Sequence, residues 1–296
     1  MQRVVCVHGV GQQYKGADVL AAEWVPALRD GLRLAGADEV ARSLDTGNVG
    51  FAFYGDLFRP SGHRLDVGDP WLTAGDVTDF EAELLAEWWQ GAADTDPGVI
   101  SPRGRTLARV PGSPQAALRA LSGSVFFAGV AERALIGDLR QVRLYLNDAE
   151  IRRMVQERIA AVVGAGARVL VGHSLGAVAA YEALCAHPEW PVRALLTLGA
   201  PLGIRNLIFD RLRPPPTMSE GGLLGQWPGA ATAWTNVADA ADPVALVKDL
   251  RPQFGRQVKS LTVSNGARAH AVSPYLTARE TGAAIAAALC GAEDHA

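Results

Sequence analysis

One stretch constrains the fold more than any other. Arg168-Val169-Leu170-Val171 is a short apolar run of strand length, Gly172-His173-Ser174-Leu175-Gly176 is a turn, and Ala177-Val178-Ala179-Ala180-Tyr181-Glu182-Ala183-Leu184 is a helical run of mostly small residues. The strand is apolar on both alternations, so it must be covered on both sheet faces, and helices are the usual cover. Glycines flanking Ser174 permit a sharp, strained turn whose serine hydroxyl projects at the carboxyl end of the strand. A hydroxyl held over a helix N-terminus lies where developing negative charge is stabilised. Ser174 is therefore a candidate nucleophile; the competing reading is a glycine-rich strand-to-helix turn whose serine is incidental.

The rest of the chain repeats this alternation. Strand patterns cover Arg3 to Val7, Val49 to Tyr54, Arg168 to Gly172, Ala194 to Leu198, Thr235 to Ala238 and Val258 to Val263. Helical patterns cover Ala17 to Ala35, Phe80 to Ala92, Asp148 to Val163, Ala177 to Ala186 and Pro274 to Leu289, the last with Ser273 as an expected N-cap. This order predicts an α/β fold, a mostly parallel central sheet with helices on both faces. Residues 55 to 147 exceed what one strand and one helix require. They include a Gly/Pro/Arg-rich segment, 94 to 114, and an apolar stretch, Leu121 to Val130, that reads as an interfacial cap helix or an ordinary buried one. The region is an expected insertion, either a cap over a site or an excursion that packs on the sheet. Asp210 to Gly229 contains Pro214-Pro215-Pro216 and reads as an exposed loop near a pocket rim.

A chain of 296 residues can cover such a sheet as one domain, with the insertion inside it. With 28 basic and 31 acidic side chains the formal net charge is −3. No Lys/Arg block provides the electrostatic footprint of a nucleic-acid or anionic-membrane binder, so no nucleic-acid partner is expected. Cys6, Cys185 and Cys290 form no CxxC pair and are odd in number, which fits neither a zinc cluster nor a disulfide framework. His8-Gly9 breaks the first apolar run too soon for a signal peptide, and Pro228 and several glycines interrupt the charge-free stretch 221 to 238. The expectation is a cytoplasmic protein without a transmembrane segment.

The Gly-His-Ser-Leu-Gly turn in its strand-helix context, with His8-Gly9 closing the first strand, resembles the α/β-hydrolase superfamily, specifically its lipase- and esterase-like members. The likeness covers the first strand and residues from about 148 to 290, and is faint between 55 and 147. It implies the chain order serine, acid, histidine, so the partners of Ser174 should follow it. His187 lies at the far end of the nucleophile helix and His295 at the terminus, whereas His270 falls in the loop after strand 258 to 263, where the resemblance expects the base. Asp239 and Asp242 both follow the strand at 235. Asp242-Pro243-Val244 resembles the acid loop of lipase-like hydrolases and is preferred; Asp239 is the alternative, Asp249 a more distant one, and the aspartate not used becomes a turn cap or hydrogen-bonding neighbour.

Acyl chemistry also needs two backbone N–H groups for the oxyanion. Leu175, after the nucleophile, supplies one, and by resemblance Val10 supplies the other. Gly9 and Gly11 are expected to let the backbone approach the substrate, His8 to hold its loop by local hydrogen bonding, and Gln12 to touch substrate or solvent; Gly172, His173 and Gly176 complete the elbow. A dinucleotide fingerprint at Gly9-Val10-Gly11 fails because Tyr14 stands where a third glycine is needed. The implied activity is hydrolysis of a small-molecule or lipid carboxylic ester through a covalent acyl-enzyme, with no metal or organic cofactor. Thioester or amide cleavage, acyl transfer to an alcohol, and a non-catalytic interaction role on the same scaffold are the alternatives. Trp71, Trp88, Trp89, Phe126 and Phe127 are candidates to line an acyl pocket, or are simply core.

Overall fold

The computed structural model describes residues 2–59, 72–102, 113–127 and 130–290. Trp71, His295 and much of the Gly/Pro/Arg-rich segment lie outside them. The described strands are β1 (Val4–Val7), β2 (Val49–Ala52), β3 (Val169–His173), β4 (Ala194–Leu198), β5 (Thr217–Ser219), β6 (Gly222–Leu224), β7 (Ala233–Asp239) and β8 (Lys259–Val263). The helices are α1 (Ala17–Leu34), α2 (Asp38–Ser43), α3 (Asp79–Thr95), α4 (Pro114–Ser122), α5 (Glu132–Asn147), α6 (Ala149–Ala160), α7 (Leu175–Ala186), α8 (Arg251–Phe254), α9 (Val272–Thr277) and α10 (Arg279–Cys290). No helix among these residues is long and apolar enough to cross a membrane.

Six strands form one sheet in the order β2-β1-β3-β4-β7-β8, and every neighbouring pair is parallel. The period of two sends alternate side chains into two cores. Val5, Val7, Leu170, Leu195 and Trp234 point to the face carrying α3 to α7, whereas Val4, Cys6, Val169, Val171, Leu196 and Val237 point to the face carrying α1, α9 and α10. The doubly apolar strands therefore satisfy two layers at once, as buried parallel strands must.

Topology also fixes where a crevice opens. From β1 the chain moves outward to β2, then crosses back to β3 on the other side of β1, so the winding direction reverses between β1 and β3. Parallel α/β sheets bind ligands beyond the carboxyl ends of their strands at such a reversal. Here those ends are Val7 and His173, next to the elbow.

Several expectations are corrected by packing. The segment Pro274 to Leu289 is two helices, because Ala278 is extended (ψ 135°) between α9 and α10. Helix α9 begins at Val272 after Ala271, not at Pro274, and Ser273 caps nothing; proline is tolerated because first-turn N–H groups lack intrahelical acceptors. Of the described residues of the Leu121 to Val130 stretch, only Leu121 and Ser122 are helical. Helix α4 ends at Ser122, where the Gly123 N–H turns back to the Arg119 carbonyl and the Ser124 hydroxyl donates to Leu121 O. Within Asp210 to Gly229, β5 and β6 form an antiparallel hairpin, held to α7 and α8 by Tyr181 Oη donating to Gln226 O and Gly225 N donating to Gln253 O.

Candidate active site

The elbow is built by three missing Cβ atoms. Ser174 holds φ 54° and ψ −126°, a left-handed conformation rare for a side-chain-bearing residue. A Cβ on Gly172 would lie 2.5 Å from Ala177 Cα, and one on Gly176 would lie 2.2 Å from the His8 carbonyl oxygen. One on Gly9 would come within 2.7 Å of Ser174 Cβ. The end of β1, the turn after β3 and the start of α7 thus interlock at backbone distance. For Gly9 this is a refinement: although it borders the cleft, its small size serves contact with the elbow.

Three separate loops meet at this point. His270, after β8, places Nε2 3.0 Å from Ser174 Oγ and Nδ1 2.8 Å from Asp242 Oδ2. Asp242 is fully buried, which by itself would raise its carboxyl, but the facing His270 and the hydrogen bonds from His270, Tyr275 and the Val244 N–H outweigh burial and hold it below its usual value. An ionised Asp242 can only accept, so His270 Nδ1 carries the proton and Nε2 accepts from the serine hydroxyl. Oδ1 receives the N–H groups of Val244 (2.8 Å) and Ala245 (3.3 Å), and Tyr275 Oη donates to Oδ2 at 2.7 Å. Lys248 Nζ donates to the Asp242 carbonyl at 2.5 Å. Asp239 faces elsewhere: it accepts the N–H groups of Ala241 and Asn265, tying the β7 and β8 loops together. His187 is paired with Glu189 and stacked on Trp190, and Asp249 with Arg251; neither meets Ser174.

His8 is locked by its own loop and by β2. The Tyr54 N–H donates to Nε2 at 3.1 Å, so Nδ1 carries the hydrogen and donates to Gly9 O at 2.7 Å. Tyr54 stacks on the ring and its hydroxyl donates to the His8 carbonyl. Burial lowers the His8 imidazole to about 4, so it is neutral at physiological pH. Burial likewise lowers His173 to about 3; its Nε2 donates to the His270 carbonyl at 3.0 Å and holds that loop from beneath. The N–H groups of Val10 and Leu175 have no acceptor among the described residues, and both residues line the space beside Ser174. Gln12 Nε2 turns back to the Val10 carbonyl at 3.2 Å.

Two spaces adjoin the serine. A narrow one, with a cavity volume of about 30 Å³, is walled largely by apolar groups, among them Trp88, Phe127, Val142, Ile208 and Val244. A more open cleft carries His8, Gln12, Trp24, His173 and Val272. Of the aromatic candidates, Trp88 and Phe127 reach the first space, stacked 6.2 Å apart; Trp89 instead packs in the core and donates to Ile100 O, and Phe126 packs against that core. No residue of Asp210 to Gly229 lines either space, because the hairpin is anchored away from the strand ends. Residues missed in the sequence are Asp138 and Gln141 on α5 and Tyr275 on α9. Gln141 Oε1 accepts the Gly11 N–H at 3.3 Å and so fastens the β1 loop from the inserted region. Leu135, Leu139, Val142 and Leu146 recur at helical spacing and would have revealed α5, but not which strand ends it covers. No family model matches the chain, and no curated protein matches it.

Proposed function

We propose that this chain is a serine hydrolase of the α/β-hydrolase type that cleaves carboxylic esters through a covalent acyl-enzyme. The observation that carries the reading is the continuous hydrogen-bonded chain from Ser174 Oγ through the His270 ring to Asp242, assembled from three loops at the carboxyl edge of the sheet.

As Ser174 Oγ bonds to the substrate carbonyl carbon, its proton passes to His270 Nε2, and the carbonyl electron pair becomes an oxyanion. The free N–H groups of Val10 and Leu175 are the donors for that oxyanion. The imidazolium is stabilised by Asp242, which four hydrogen bonds keep ionised and oriented against the cost of burial. Collapse expels the alcohol, which takes the proton from Nε2. Water, deprotonated by the same nitrogen, then attacks the acyl-enzyme; the Ser174 Oγ–acyl bond breaks, Oγ takes the proton back from Nε2, and the acid is released. His8 takes no part in proton transfer, since both ring nitrogens are engaged and its imidazole is neutral.

The largely apolar walls beside Ser174 suit an alkyl or aryl group. A fluorophosphonate probe tests the reading. The folded protein should be labelled and Ser174→Ala should not, with loss of ester turnover by about four orders of magnitude or more. Absence of a serine-dependent adduct in the folded protein refutes it.

A further inference from the structure

One carboxyl in the site has no role in this mechanism. Asp138 projects from α5 and is one of four residues, with Val10, Ser174 and His270, that border both the apolar space and the open cleft. Its Oδ1 lies against Gly11, where a Cβ would sit 3.4 Å away. Its protein partner is the Gln141 amide, at the limiting distance of 3.5 Å. Among the described residues no lysine or arginine pairs with it. Burial pushes the carboxyl up to about 7, with the nearby His270 pulling the other way.

Such a group is poor as a purely structural device. The part-buried carboxyl shares the lining of the narrow space with Trp88, Phe127 and Val142, and its one side-chain donor, the Gln141 amide, sits at the outer limit of hydrogen-bonding distance, so the fold gains little from it. It is instead the acceptor that a ligand can complete, in an otherwise apolar enclosure where one well-placed polar group sets orientation. Resting on the serine-hydrolase reading above, we propose that Asp138 is the specificity-determining residue of the site, selecting esters that carry a hydrogen-bond donor, a hydroxyl or an ammonium, within a few bonds of the scissile carbonyl. Asp138 and Ser174 border the same two spaces, so such a donor would face the carboxylate with the carbonyl at Ser174, whereas plain alkyl esters would leave Asp138 with only the Gln141 amide.

Small esters in which a terminal methyl is replaced by hydroxyl or ammonium, on the acyl or on the alcohol side, test this by acid release at pH 8. The wild type should favour at least one donor-bearing ester over its methyl counterpart by about tenfold or more in kcat/KM, as a hydrogen bond to a charged group implies. Asp138→Leu should abolish the preference. Asp138→Asn should keep a hydroxyl preference but lose an ammonium one, which distinguishes the two donors and provides a second variant should Asp138→Leu misfold. Where turnover is too slow to rank, protection of Ser174 from the fluorophosphonate probe by the same esters supplies the ranking. A wild type that favours the methyl esters throughout, or a preference unchanged in both variants, overturns the inference. Labelling of Ser174 separates the two failures: a labelled serine without Asp138-dependent discrimination sinks only this inference, whereas an unlabelled one sinks the hydrolase reading.

Discussion

Asp239 and Asp242 are three residues apart, both buried and both at the end of β7, and local sequence ranks them only through the proline after Asp242. Their partners divide them. Asp242 faces His270 and Tyr275, whereas Asp239 caps Ala241 and Asn265, although its own N–H donates to Tyr275 Oη. Tyr275 thus bridges the two positions and holds Asp242 against His270. Under the proposed mechanism Asp242→Asn should lower kcat by about 10⁴, because the amide no longer selects the Nδ1–H tautomer. Asp239→Asn should act on stability with a far smaller loss of kcat; similar losses in both would refute the assignment of the acid. Ser174 and His270 were legible because each stands alone in its loop. Tyr275 and Asp138 were not, since a tyrosine or an aspartate on a helix has no local mark of what it will face.

The six sheet strands are legible as apolar runs closed by turns, with ends within two residues of those observed. Helices were harder where packing overrides pattern. Periodicity continues through Pro274 to Leu289, yet α9 and α10 separate at Ala278, where the chain meets α1. A Cβ on Gly31 would lie 2.3 Å from Leu276 O, and one on Gly282 would lie 2.0 Å from Gly31 O, while Thr281 Oγ1 caps the Tyr275 carbonyl. These backbone contacts seat α9, and with it Tyr275 and the His270 loop. Gly282→Ala should therefore cost about 1 to 3 kcal/mol by forcing α1 and α10 apart, as overpacking does. Urea denaturation measures this; undiminished stability would show that the interface can shift without cost.

Across the whole molecule, three groups of the site make opposing contributions to pH dependence. His8 and His173 are lowered to about 4 and about 3, so below pH ~6.5 the unfolded chain binds protons that the native state refuses, and stability falls on acidification. Asp138 is raised to about 7, so between pH ~4 and 7 the native state holds a proton that the unfolded chain lacks, and stability rises on acidification. Removing that compensation in Asp138→Leu should steepen the acid-side loss between pH 6 and 5 by one proton, about 1.4 kcal/mol per pH unit. Urea titrations at the two pH values check the slope, and equal slopes in the two proteins contradict the burial of this carboxyl. The sequence alone determined the alternation of strands and helices, the elbow at Ser174 and the loop that carries His270, because each is written in local periodicity, glycine placement or chain order. Tertiary structure decided which aspartate meets His270, where the last helix breaks, and that residues of α3 and α5 wall the site. Those depend on which surfaces meet after the sheet closes, and contacts such as Gly11 with Gln141, 130 residues apart, leave no trace in local pattern.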